Sequence, residues 1–197
     1  MTGRTDVCCV ILASGEARRF GAPKGLAQLG DKSVIRHIVI ALQSQLSGAI
    51  IVNCEDASHY RAEISESVPD QLGGKLGPLA GIHAALAWAK MRDLEHVMTV
   101  PVDTPFLPSD LAARFFEAGA PAVATSNGRL HPVIGLWSVS DLTPLEDDLI
   151  SGRLKAGDWV RRIGAKEVDF KGDPFFNINT KEDLAIAERR LRENVEE

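Results

Sequence analysis

Val7-Cys8-Cys9-Val10-Ile11-Leu12-Ala13, followed at once by Ser14-Gly15-Glu16-Ala17-Arg18-Arg19-Phe20-Gly21-Ala22-Pro23-Lys24-Gly25, is the stretch on which the fold turns. The first seven residues form a near-continuous apolar run of strand length. Lack of alternation predicts a strand buried on both faces. Outward from it, apolar runs alternate with amphipathic ones. Residues 33–46 read as a helix with Ile35, Ile38, Val39, Leu42 and Leu46 on one face. Residues 49–54 read as a strand and 59–65 as a short helix. Gly77-Pro78 opens a helix over 79–91, with proline suited to a first turn. Its apolar stripe is Leu79, Ile82, Leu86 and Ala89. Residues 96–102 predict a strand ending at Asp103, and 109–117 a helix. Strands follow at 122–125 and 133–138, helical stretches at 142–150 and 157–163, and a short strand at 167–170. A last helix spans 180–192, where Thr180 and Asp183 have capping-box spacing. This alternation predicts an α/β fold: one domain over residues 1–197, a mostly parallel twisted sheet with helices on both faces. Such sheets bind ligands outside the carboxyl ends of their strands. Residues 14–24, Asn53 and Asp103 all fall there.

The 197 residues suffice for one α/β domain with a real core. Lys+Arg total 22 against 27 Asp+Glu, a formal net charge of -5, so no nucleic-acid partner is expected. An anionic ligand would be held by local features instead. Cys8, Cys9 and Cys54 show no metal or redox spacing, and their odd number fits a reducing compartment. Cys8 and Cys9 read as core residues. No leader-like segment opens the chain and no apolar run approaches the roughly 20 residues of a membrane span. The expectation is a cytoplasmic protein with no membrane partner.

Several residues carry chemistry. In the loop after the first strand, small residues would let backbone N–H groups approach phosphate oxygens, and Arg19 and Lys24 would neutralise a triphosphate. The loop fits neither the P-loop nor the dinucleotide pattern, and composition alone allows a solvated loop with surface basics equally well. Asp103 at the end of an apolar strand is either a turn cap or a metal ligand, since Mg2+ takes one or two carboxylates plus phosphates and waters. Gly77 to Gly81 is either a helix start that accepts an anion or one made for close packing. Asn177 and Asn179, with Arg129 and His131, could hold a polar acceptor, or serve as turn and strand-entry residues. His37, His59, His83 and His96 have no ligand spacing.

Leu12-Ala13-Ser14-Gly15 through Arg19, Gly21 and Lys24 resembles the L-A-G-G-x-x-x-R-x-G-x-x-K signature of the NTP-transferase family. Asn53, Gly77-Pro78-Leu79-Ala80-Gly81, Val102-Asp103-Thr104-Pro105-Phe106, His131-Pro132 and Phe176-Asn177-Ile178-Asn179-Thr180 follow in the same order, closest to the molybdenum cofactor guanylyltransferases. Single blocks are weak; six in order over residues 12–180 are not. The resemblance implies a Rossmann-like nucleotidyltransferase fold and a magnesium-dependent transfer of GMP from GTP onto molybdopterin carrying molybdenum, releasing pyrophosphate. It implies Leu12, Ala13, Ser14, Gly15, Lys24, Asn53, Asp70, Gly77 and Asp103 for the nucleotide, with Asp103 holding Mg2+. Lys24, Arg19 and Asp103 are implied as catalytic, and Asn177, Asn179 and His131 as acceptor contacts. Asp70 suits guanine, whose Watson–Crick edge offers adjacent N–H donors to a carboxylate. Molybdoenzymes or their chaperones are further candidate partners. Ser14 departs from the pattern, standing for the first of two glycines. It either preserves phosphate binding through its own hydroxyl or narrows the loop.

Two rivals stand beside this reading. A cytidylyltransferase for molybdopterin or for a sugar or alditol phosphate would share the fold and metal site and differ at Asp70 and the Gly77 block. A nucleotide- or cofactor-binding partner protein without turnover would be marked by Ser14, and is opposed by the presence of Lys24 and Asp103.

Overall fold

The computed structural model describes residues 6–14, 23–74 and 76–193. In chain order it contains β1 (Cys8–Leu12), β2 (Gln28–Leu29), β3 (Lys32–Ser33), α1 (Val34–Gln43), β4 (Ile50–Asn53), β5 (Ser67–Val68) and α2 (Pro78–Lys90). Then come β6 (His96–Pro101), α3 (Leu111–Ala118), β7 (Ala122–Ser126), β8 (Arg129–Ser138), α4 (Leu142–Ile150), α5 (Ala156–Arg162), β9 (Lys166–Phe170) and α6 (Lys181–Glu193). Among the described residues seven strands form one sheet in the order β5-β4-β1-β6-β8-β7-β9. β1 pairs in parallel with both β4 and β6, and β8 runs antiparallel to its neighbours β6 and β7. The sheet is therefore mostly parallel, as expected.

β1 shows why its sequence has no alternation. Cys9 and Ile11 pack into one core with α1 and α3, while Val10 packs into a second with α2, α4 and α5. Cys9, Val10 and Ile11 are all fully buried. Ser33 caps α1, its hydroxyl accepting from the Arg36 N–H, and Ile35, Ile38, Val39, Leu42 and Leu46 are buried as the periodicity predicts. α2 goes further than its stripe. Ala80, Gly81, Ala84, Ala85 and Trp88 are buried too, so this helix is enclosed on most sides. Thr180 and Asp183 form the expected capping box on α6: the Asp183 carboxylate accepts from the Thr180 N–H at 2.9 Å, and the Thr180 hydroxyl accepts from the Asp183 N–H at 3.1 Å.

Three elements differ from the sequence reading. Residues 59–65 form no α-helix. A 3-10 turn at Ala57–His59 is capped by Asp56, a further turn closes from Glu63 and Ile64 to the Tyr60 carbonyl, and the chain then enters β5 beside β4. Pairing to the sheet edge outweighs the weak helical pattern there. The strand expected at 133–138 begins four residues earlier, at Arg129. Asn127 (φ 50°) and Gly128 (φ 71°) make a tight turn that folds β8 back on β7. The hairpin β2/β3 was not expected. Among the described residues no helix is long and apolar enough to cross a membrane.

Candidate active site

The carboxyl ends of β1, β4 and β6 are laced together by backbone bonds. Ala13 N–H donates to the Asn53 carbonyl at 2.8 Å, and Val102 N–H to the Leu12 carbonyl at 3.0 Å. This lacing brings Ser14, Asn53 and Asp103 to one edge of the sheet. Two cavities open there, about 310 Å³ and about 580 Å³, and Leu12, Ser14 and Asp103 line both. Lys24 lines the smaller; Asn53, Asp70 and Gly77 line the larger. Gly15 and Arg19 lie outside the described residues.

Asp103 lines both cavities. Its Oδ2 is 3.3 Å from Lys24 Nζ, and that ammonium also donates to Asn179 Oδ1 at 2.6 Å. Oδ1 of Asp103 is buried and has no hydrogen-bond partner among the described residues. Burial pushes this carboxyl above its usual range, and the Lys24 charge beside it pulls the other way. A buried carboxylate oxygen without a hydrogen-bond partner, on a residue that lines both cavities, suits a hard cation. No cluster of three or more His, Cys, Asp or Glu residues occurs among the described residues, so an all-protein cage is not formed there. One carboxylate completed by phosphates and water is the arrangement that Mg2+ tolerates and Zn2+ does not favour.

On the other side, Asn53 is buried and its amide is fully used. Nδ2 donates to the Val68 carbonyl at 3.1 Å and to Asp70 Oδ1 at 2.9 Å, while Oδ1 accepts from the Ser14 hydroxyl at 3.0 Å. Among the described residues, Asp70 Oδ2 makes no hydrogen bond. Gly77 caps α2 with φ 66°, a conformation suited to glycine, and Gly77, Pro78 and Gly81 line the larger cavity.

The stretch before α6 is anchored by Phe175 and Ile178, both buried, and by the Ile178 N–H, which donates to the Asp103 carbonyl at 2.9 Å. Asn177 and Asn179 are half-buried on this strip, and Asn179 meets Lys24. His131 is not brought to the cavities. It is buried on β8, with Nε2 2.8 Å from the Ser126 hydroxyl and its ring 4.8 Å from that of Phe175. The hairpin places it there, pairing His131 with Ala124 across the sheet.

Two glycines were not read as site residues. A Cβ on Gly25 would lie 2.5 Å from Val102 Cγ2, so only glycine lets the turn bearing Lys24 press on the end of β6. A Cβ on Gly81 would lie 2.7 Å from Asn53 Oδ1. The Gly77–Gly81 block gave the signal for the second. Tyr60 and His59 line the smaller cavity and carried no recognisable signal.

The sequence profile of the MobA-like NTP transferase domain matches residues 9–167. The chain belongs to this family. A molybdenum cofactor guanylyltransferase from Rhizobium leguminosarum bv. trifolii is 41% identical, covering 96% of this chain and 95% of its own. One from Rhizobium johnstonii is 40% identical, covering 95% and 94%. Among solved structures, molybdopterin-guanine dinucleotide biosynthesis protein A from Archaeoglobus fulgidus superposes with a TM-score of 0.72 at 22% identity, over 95% of this chain and all of that one. The last likeness speaks to the fold. As a MobA-like NTP transferase the chain is a nucleotidyltransferase, with the sheet and helix layers its sequence predicts.

Proposed function

We propose that this MobA-like NTP transferase moves GMP from GTP onto molybdenum-bearing molybdopterin and releases pyrophosphate. The observation that carries the reading is the buried Oδ1 of Asp103, without a hydrogen-bond partner among the described residues, beside Lys24 on a residue that lines both cavities. The guanylyltransferases at about 40% identity support the choice of base and acceptor.

In this reading the residues divide the work. Asp70 Oδ2 accepts from the guanine N–H edge, with Asn53 holding the other oxygen. Leu12, Ala13 and Ser14 border the phosphates, with Gly77 at the start of α2 on the base side; Gly15 and Arg19 are assigned to the triphosphate by family pattern. Lys24 neutralises the triphosphate and the departing pyrophosphate. Asn177 and Asn179 offer amides to the acceptor. Asp103 would hold Mg2+, which when bound offsets charge on the phosphate oxygens. No general base is required, because the acceptor's phosphate is already anionic near neutral pH. Catalysis is then mostly alignment and charge stabilisation. Three free cysteines suit a cytoplasmic setting.

Mass spectrometry of the product tests this. With GTP, Mg2+ and molybdenum-loaded molybdopterin, the pterin product should gain one GMP. A product bearing CMP, or no nucleotide adduct with any NTP, would overturn it.

A further inference from the structure

We infer that Ser14 is a positioning residue for base recognition: its hydroxyl anchors the Asn53 amide that holds Asp70 toward the nucleobase. The inference rests on the guanine-nucleotide reading above and adds a determinant to it.

The Asn53 side chain can be placed in its pocket in two ways, related by exchange of its oxygen and nitrogen. In the observed one, both N–H groups meet oxygen acceptors, the Val68 carbonyl and the Asp70 carboxylate. The exchanged one would set an oxygen against those two oxygens. Those two acceptors set the orientation, and Ser14 ties the amide down from the other end, its hydroxyl donating to Oδ1 at 3.0 Å. Helix α2 closes on the same oxygen, where a Cβ on Gly81 would come within 2.7 Å. Asn53 itself is 1% exposed, so an Oδ1 deprived of Ser14 becomes a buried acceptor in tight packing. Asp70 is half-buried in an irregular stretch after β5, and its bond to Asn53 ties one of its oxygens. Ser14 lies on the chain leaving β1 toward Lys24, so one hydroxyl links the phosphate side of the site to the base side.

The test compares GTP with ITP, which carries the same triphosphate and lacks the 2-amino group that a carboxylate reads. Dissociation constants are measured by calorimetry with Mg2+ on the full chain, for wild type, Ser14→Ala, Ser14→Gly, Ser14→Thr and Lys24→Ala. Phosphate effects cancel in the ITP:GTP ratio. Ser14→Ala and Ser14→Gly should each reduce the wild-type preference for GTP about fivefold or more. Ser14→Thr, which keeps the hydroxyl, should restore it to within about twofold. Lys24→Ala should weaken both ligands by the same factor. If Ser14→Ala and Ser14→Gly weaken GTP and ITP equally, the preference being intact, the coupling is wrong while the guanine reading stands. If the wild type shows no preference for GTP over ITP or CTP, the guanine reading itself falls, and this role for Ser14 with it.

Discussion

Gly81→Ala is the substitution in which fold and site are most tightly opposed. In the interior of a helix, alanine is favoured over glycine by about 1 kcal/mol. The added methyl would lie 2.7 Å from Asn53 Oδ1 and 3.1 Å from Leu12 Cδ2. Asn53 cannot turn away cheaply, being held by Ser14, Val68 and Asp70 at 3.0, 3.1 and 2.9 Å. Two ordinary hydrogen bonds at about 1 kcal/mol and one to a charged group at about 1.5–3 kcal/mol set the scale of the loss. If the amide keeps part of this network, the net result is a destabilisation of about 2 kcal/mol. For a chain of this size that corresponds to a Tm lower by about 4–8 °C. GTP affinity should fall about tenfold as Asp70 loses its anchor. Gly157→Ala is the control. It is the same chemical change in α5, where the methyl would meet only Leu130 and Arg161 at 3.8 and 3.9 Å. It should stabilise by about 0.5–1 kcal/mol and leave GTP binding unchanged. Thermal melts and calorimetry on both variants decide the matter. If Gly81→Ala gains stability as Gly157→Ala does, with GTP affinity intact, the pinned network around Asn53 is not what holds the site.

Other outcomes follow from the same geometry. Asp103 titrates above the ordinary carboxylate range in the folded protein because it is buried. The folded state keeps this proton to higher pH than the unfolded chain, so stability falls as pH rises from the ordinary Asp range through the raised value. Asp103→Asn should therefore raise the Tm of the metal-free protein at neutral pH, with a smaller gain in acid, while abolishing transfer. Asp183 is shifted down, chiefly by the Asn179 N–H, so its contribution is present above the ordinary Asp range and lost as pH falls. Asp183→Ala should cost about 1 kcal/mol in urea unfolding as a lost cap. It should also raise KM for the acceptor more than for GTP, because it frees the backbone of Asn179. Lys24→Ala should lower kcat/KM by about 10²–10³, the scale of one lost charge-stabilising group, in a steady-state pyrophosphate assay.

Much of the fold was legible because burial on two faces leaves a plain mark. Val7 to Ala13 has no alternation since Val10 faces one core and Cys9 and Ile11 the other. Asp103 was legible because a carboxylate closing an apolar strand needs a partner or a ligand. What escaped was set by tertiary contact. The stretch 59–65 has helix-like spacing, yet the free edge of β4 recruits the residues after it as β5. The placement of His131 opposite Ala124 and near Ser126 comes from the Asn127-Gly128 turn, itself a readable hairpin signal. Ser14 looked like a blemish in a glycine pattern. Its hydroxyl bond to Asn53 joins residues 39 apart in sequence, which no local pattern displays.

The most direct test of the central claim is pyrophosphate release with each NTP in turn, with Mg2+ and molybdenum-loaded molybdopterin, for wild type and Asp103→Ala. Release with GTP alone, lost in Asp103→Ala while GTP still binds, is the predicted result. Release with CTP in place of GTP, or release that survives in Asp103→Ala, would contradict it.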